Sequence, residues 1–189
     1  LSVESATLSK QHPGVMLDVS ALAKGYAVDQ LAQLLLDRGF QHFMVEIGGE
    51  VRALGERPGG GPWRIAVELP GGEEPGDEQD SRHFIELQNH AVASSGDYRN
   101  YFMLDGTRYG HVLDPTTLRP ADFGAAAATV IADDTITADA LATAFLAVPR
   151  ERAFRLAREL DVKLLVVSRG ADGGLEQHKS PGFNLLQLP

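Results

Sequence analysis

Asp139 and Thr143 stand four residues apart in the segment Thr137-Ala-Asp-Ala-Leu-Ala-Thr143. In a helix that spacing puts both side chains on one face, about one turn apart. A carboxylate beside a hydroxyl is a pair of hard oxygen donors, suited to Mg²⁺ rather than to zinc or copper. The segment also has an architectural reading, with Thr137 as N-cap, Asp139 favoured in the first turn by the helix dipole, and Thr143 packed on a neighbour. Spacing alone favours the architectural reading, because acidic first turns are common. The company these residues keep along the chain favours the other.

The 189 residues fit one domain with a real core. Apolar residues make up 43% and charged ones 23%, ordinary for a globular protein. A net charge of −9 and the lack of any basic stripe argue against a nucleic-acid partner. Cysteine is absent, which rules out both a disulfide framework and a thiolate zinc site. No apolar run reaches membrane-spanning length. The opening Leu1-Ser-Val-Glu-Ser-Ala6 is neither a signal peptide nor a start at methionine. A fragment that has lost any targeting segment is the expectation.

The elements that must carry the chemistry read as follows. Val15–Val19 predicts a short strand, and Ser20 an N-cap for a helix with the stripe Ala27, Leu31, Leu34 and Leu35. Gly39 closes that helix in a left-handed cap, and Gly25 inside it suggests a close approach by a ligand or another backbone. His42–Ile47 and Glu50–Leu54 are strands about the pair Gly48-Gly49, which marks a bulge or a close approach; Trp63–Leu69 is a further strand. The acidic stretch Pro70–Asp80 has nothing apolar to bury and is expected to be solvated. Asp105-Gly106 signals a hairpin between Tyr101–Leu104 and Thr107–Leu113, which puts His111 on a strand just before the turn-forming Asp114-Pro115. A strand over Ala126–Ala132 leads into the helix that starts at Thr137. A further helix over about Arg150–Leu160, with Phe154, Ala157 and Leu160 inward, precedes a strand at Val162–Ser168 and a closing strand and tail from Leu175. The fold class is α+β: a mixed, largely antiparallel sheet with about three packed helices.

Four segments together resemble a known family. They are Asp18-Val-Ser-Ala-Leu-Ala-Lys-Gly-Tyr-Ala-Val-Asp29, Val45-Glu-Ile-Gly-Gly-Glu50, Ser94–Tyr101 with His111-Val-Leu-Asp-Pro115, and Thr137–Thr143. In this order and at these intervals the chain is similar to the FAD:protein FMN transferases, the ApbE-like family once described as thiamine-biosynthesis lipoproteins. The resemblance spans nearly the whole chain. It implies a single ApbE-like domain over residues 1–189, N-terminally truncated, because the family's N-terminal portion supplies further contacts to the adenine and the flavin. For the full-length form it implies a lipoprotein in the periplasm or on the extracytoplasmic face of the inner membrane.

The implied reaction uses Mg²⁺ and takes FAD as substrate. FMN passes to a threonine or serine hydroxyl in the flavinylation motif of a partner flavoprotein, and AMP leaves. By resemblance, Asp139 and Thr143 match the family's metal ligands, with the Ala21 carbonyl as a third. Asp18, Lys24 and Leu113 match positions that contact FAD, Leu113 through its backbone. His111 matches the histidine beside the flavin site. Phosphoryl transfer asks chiefly for positioning and charge neutralisation, to which Lys24 and the starts of the two helices would contribute. Either Asp139 or His111 is placed to take the acceptor's proton. An FAD pyrophosphatase using water, or a flavin-binding module without catalysis, fits the same motifs.

Overall fold

The computed structural model describes residues 8–70, 83–97, 101–104, 107–170 and 174–187, with backbone alone at 107 and 108. The acidic stretch read as solvated lies, from residue 71 onward, outside the described residues, as do Asp105 and Gly106.

Three layers form the fold. The middle one is a six-stranded sheet in the order β1-β2-β5-β10-β11-β12, with β1 at Phe43–Ile47, β2 at Glu50–Leu54, β5 at His90–Gly96, β10 at Ala125–Ala132, β11 at Lys163–Arg169 and β12 at Leu175–Lys179. On one side lie the helices α1 (Ser20–Asp37), α2 (Thr135–Leu146) and α3 (Arg150–Glu159). On the other lies a small sheet in the order β13-β4-β3, from Leu186–Gln187, His83–Leu87 and Trp63–Ala66. Two hairpins complete the described residues: β6 (Tyr101–Leu104) with β7 (Thr107–Gly110), and β8 (Leu113–Asp114) with β9 (Arg119–Pro120). The described strand pairs are all antiparallel. The chain is α+β, as the sequence indicates.

The central strands are apolar on both faces because both faces are covered. Ala91, Ala93, Ala128, Val130, Leu164 and Val166 meet Ala138, Ala142 and Phe145 of α2 and Ala153 and Ala157 of α3. The residues between them, Val92, Ala127, Ile131, Leu165 and Val167, meet Ile85 and Leu87 of β4. Alanine-rich contacts let the helices sit close to the sheet, and the period of two along each strand does the sorting.

Several local expectations are corrected. Val15–Val19 is not a strand; it has apolar side chains but no partner strand, and every one of its residues is exposed. Ser20 is the first residue of α1 rather than its cap; Val19 takes the cap position, and the Asp18 carboxylate accepts from the Ser20 N–H at 2.8 Å. The buried side of α1 is Gly25, Val28 and Ala32, whereas Leu31 and Leu34 are exposed. α2 starts at Thr135, capped by Asp134, so Thr137 is its third residue and Asp139 lies beyond the first turn. α3 buries Ala153 and Ala157 but leaves Leu160 exposed. His111 follows β7 in a bend instead of lying on the strand. Gly39, at φ +85°, does close α1.

Candidate functional site

α1 and α2 cross at a point that admits no side chain on α1. A Cβ on Gly25 would stand 2.5 Å from the Thr135 carbonyl oxygen and 2.8 Å from the Ile136 Cα. The glycine therefore marks a close backbone approach, its cost inside the helix repaid by contact. Each helix also sends a carboxylate to the main chain of the other. Asp139 Oδ2 accepts from the Gly25 N–H at 2.9 Å. Asp29 accepts from the N–H groups of Thr135, at 2.9 and 3.0 Å, and Ile136, at 2.8 Å. Asp134 takes the Thr137 N–H at 2.8 Å. These first amides of α2 thus already serve protein carboxylates, which corrects the expectation that this helix start would address a phosphate.

Where the two helices meet, a cavity of about 700 Å³ opens. Six of the seven predicted site residues line it: Ala21 and Lys24 from α1, Asp139 and Thr143 from α2, and His111 and Leu113 from the segment after β7. Residues from Ala21 to Thr143 are thereby brought to one hollow. Asp18 stands outside the lining, its carboxylate on the Ser20 N–H and its pKa lowered by the hydrogen bonds of Ser20. Beyond the polar end, Val112, Pro115, Ala144, Ala147 and Val148 supply an apolar slot. A second hollow of about 560 Å³ shares Lys24, Ser95 and His111 with the first, and continues past Gly48, Gly49, Glu46 and Glu68. Lys24 and His111 therefore stand on the boundary between an apolar compartment and a polar one.

Asp139 is 3% exposed, and burial pushes its carboxyl up from the ordinary aspartate value, against the Gly25 hydrogen bond and the charge of Lys24. Thr143 Oγ1 lies 2.9 Å from Ser95 Oγ. Among the described residues no three His, Cys, Asp or Glu side chains gather. A metal here would rest on a mixed set: the Asp139 carboxylate, the Thr143 hydroxyl and the Ala21 carbonyl. Such a set fits Mg²⁺, which uses one or two carboxylates and keeps positions for water and substrate phosphate. A second buried acid strengthens the fit, because two carboxylates against the one ammonium of Lys24 leave a net negative charge that favours a cation.

That acid is Glu50, the last residue of the Val45–Glu50 segment, for which the sequence predicts no role. It is 2% exposed, at the start of β2. Its Oε1 accepts from Lys24 Nζ at 2.7 Å, while its Oε2 is buried with no partner among the described residues. Burial is the largest cause raising its pKa; Lys24 opposes that, and the Asp139 charge adds to it. Gly48 and Gly49, at φ +60° and +100°, form the two-residue turn between β1 and β2. They also let Lys24 lie across the turn: its Nζ donates to the Gly48 carbonyl at 3.3 Å, and a Cβ there would meet its Cδ at 3.2 Å. A glutamate directly after a Gly-Gly strand break was the available signal for this partner of Lys24.

The far wall is a run of local bonds. Asp114 accepts from the Thr116 N–H at 2.8 Å and the Thr117 hydroxyl at 2.9 Å, and the backbone bond of Thr116 is the largest cause that lowers its pKa. The Ala121 N–H returns to the Val112 carbonyl at 2.9 Å. Together these fix the backbone that presents Leu113 to the cavity.

Comparison with known proteins bears on the family and the fold. The family model described as ApbE family matches residues 1–166. The FAD:protein FMN transferases of Vibrio cholerae and Haemophilus influenzae are each 40% identical to the chain over 183 residues. That is 97% of this chain, and 53% and 52% of those proteins. The transferase of Escherichia coli K12 is 33% identical over 93% of the chain and 49% of its own length. The chain thus spans about half the length of the curated relatives it matches. The solved flavin transferase ApbE of Vibrio cholerae superposes with a TM-score of 0.83 at 38% identity, over 96% of this chain and 56% of that one. The flavinyl transferase ApbE of Pseudomonas stutzeri does so at 0.75 and 39%, over 89% and 50%. From its sequence and its fold, the chain belongs to the ApbE family.

Proposed function

We propose that this chain carries the pyrophosphate-and-metal side of an FAD:protein FMN transferase, moving FMN from FAD to a threonine or serine hydroxyl of an acceptor flavoprotein and releasing AMP. The observation that carries the reading is the convergence of Ala21, Lys24, His111, Leu113, Asp139 and Thr143 on one cavity whose other end is apolar. A ring system fits the apolar slot, and the phosphates fit the end where Lys24 stands. Asp139, Thr143 and the Ala21 carbonyl would hold Mg²⁺, which when bound would neutralise phosphate charge and polarise the reacting phosphorus. The family's relatives are named for this transfer; the acceptor and its motif are read for this chain by analogy.

In the transfer the acceptor oxygen bonds to the FMN-side phosphorus. The bond from that phosphorus to the bridging oxygen breaks, and AMP departs with the oxygen. The hydroxyl proton needs an acceptor in the compartment from which the hydroxyl arrives. His111 is exposed and lines both hollows, whereas Asp139 is buried and already bonded to Gly25. His111 is the better-placed base. Lys24 offers its ammonium to the phosphates from the shared wall, and the tie between α1 and α2 fixes the distance between Lys24 and Asp139 before substrate arrives.

Incubation with FAD, Mg²⁺ and an acceptor bearing a flavinylation motif tests the reading. The expected result is a gain of the FMN moiety in acceptor mass, matched by AMP. AMP with free FMN would assign water as acceptor and make the protein a pyrophosphatase. Neither product would overturn the proposal.

A further inference from the structure

Glu50 has no task in the transfer just described, yet its placement is costly. Its carboxylate is 2% exposed, and one oxygen has no hydrogen-bond partner among the described residues. Burying a charge with an idle oxygen is unfavourable unless something else in the structure uses the charge. A neutral glutamine would still accept from Lys24, but by a weaker bond without charge assistance. The bond to Lys24 engages one oxygen of Glu50, and the buried second oxygen still needs a reason.

The reason lies in the sum around Lys24. Its ammonium is the cation that faces both hollows, and Glu50 holds it at 2.7 Å. Without Glu50 the pair Lys24 and Asp139 would be neutral, and a bare pyrophosphate would meet an ammonium opposed by one carboxylate instead of two. With Glu50 the three groups sum to one net negative charge, and the field repels a bare anion while it attracts a cation. We propose that Glu50 is a charge-setting positioning residue, which neutralises Lys24 and adds its field to that of Asp139 so that the site accepts a pyrophosphate only together with a divalent cation. This rests on the reading that metal and pyrophosphate share the cavity. Its consequence is order: a dinucleotide without metal is turned away before it occupies the site unproductively.

The test is binding, with ADP as a probe that carries the same pyrophosphate on adenosine. Calorimetry would measure ADP with EDTA and ADP with Mg²⁺, and Mn²⁺ alone would be titrated by electron paramagnetic resonance. In the wild type, ADP with Mg²⁺ should bind at least about tenfold more tightly than ADP without metal. Glu50→Gln should move two affinities in opposite directions: metal-free ADP tighter by roughly three- to tenfold, Mn²⁺ weaker by a similar factor. A residue that merely anchors the Lys24 side chain would not produce opposed shifts. Lys24→Met should give the mirror image, with metal-free ADP lost and Mn²⁺ tighter, and it decides the matter if Glu50→Gln does not fold. Metal-free ADP unchanged or weakened in Glu50→Gln, or a wild type that binds neither probe, would overturn the role. The FMN transfer assay separates this outcome from the broader one. Transfer without opposed shifts removes only the charge-setting role, and opposed shifts without transfer remove only the transferase reading.

Discussion

On one wall of the cavity, α1 and α2 are tied through main-chain amides more than a hundred residues apart, Gly25 to Asp139 and Thr135 and Ile136 to Asp29. On the other, the segment from Val112 to Ala121 is held by bonds within a few residues, chiefly those of Asp114. The first wall is buried: Gly25, Ala138, Asp139 and Ala142 are all shielded. The second wall faces outward, with Leu113 at 57% and Leu118 at 78% exposure. The difference suits what the proposed function asks of each wall. Phosphate and metal chemistry needs ångström-level positioning, which close backbone contact supplies. A wall that meets a ring edge or an incoming polypeptide needs only a fixed turn and a free surface.

Breaking the first wall should have the largest effect. Gly25→Ala places a methyl 2.5 Å from the Thr135 oxygen, and backbone cannot step aside as a side chain can. The expected loss is about 3 kcal/mol, or roughly 6–12 °C in Tm, with Mg²⁺-dependent turnover lost as well. A melt within a degree of wild type would show that the helices can separate freely, contrary to the tie described. Asp29→Ala comes next. It leaves two amides at the α2 start without their acceptor, and should cost about 2 kcal/mol, roughly 4–8 °C. Asp29 is outside the cavity lining, so restored Mg²⁺ response at lower temperature would accompany the loss if its role is to hold α2.

The two walls should also differ in sign with pH. Glu50, on the buried side, has a pKa raised mainly by burial. A raised acid contributes stability that is full below the ordinary glutamate range and is lost as pH rises through the raised value. Glu50→Gln stays neutral at every pH, so it should gain on the wild type as pH rises. Asp114, on the exposed wall, has a pKa lowered first by the Thr116 backbone bond. Its contribution is present above the ordinary aspartate range and is lost as pH falls through the lowered value. Asp114→Asn should therefore lose ground to the wild type above that range and draw level below it. Denaturant midpoints for both variants at pH about 3, 5 and 8 would show the opposed slopes. Parallel slopes would mean that the buried and exposed acids are not in different environments.

Sequence was most informative where the physics is local. Gly39 and the apolar runs at 126–132 and 162–168 announce an end and two covered strands, and each lies where expected. It was least informative where a partner far along the chain decides. Leu31 and Leu34 are more apolar than Gly25 and Ala32, so the stripe pointed to the wrong face of α1; α2 needs small residues there to come close. Val15–Val19 has strand-like side chains but no neighbour to bond. Glu50 reads as a surface charge beside a turn until Lys24, 26 residues earlier, is seen to reach it. The motifs brought the cavity residues together on paper, but the ties that hold them, Asp29 and Glu50, carry no periodic signal.

The smallest effect expected is at Leu113, and it probes how the exposed wall does its work. The side chain is 57% exposed, although the residue lines the cavity. Truncating a side chain that buries so little should change stability by no more than about 0.5 kcal/mol. By the reading above, Leu113 meets FAD through its backbone, and that backbone is set by the Asp114 turn and by its pairing with Pro120. Leu113→Ala leaves both intact. FAD affinity in the presence of Mg²⁺ should then stay within about twofold of wild type, a difference of roughly 0.4 kcal/mol. Fluorescence titration of FAD into the two proteins is sufficient to check this. A loss of tenfold or more would mean that the leucine side chain itself packs on the cofactor, and that the second wall recognises by side-chain contact.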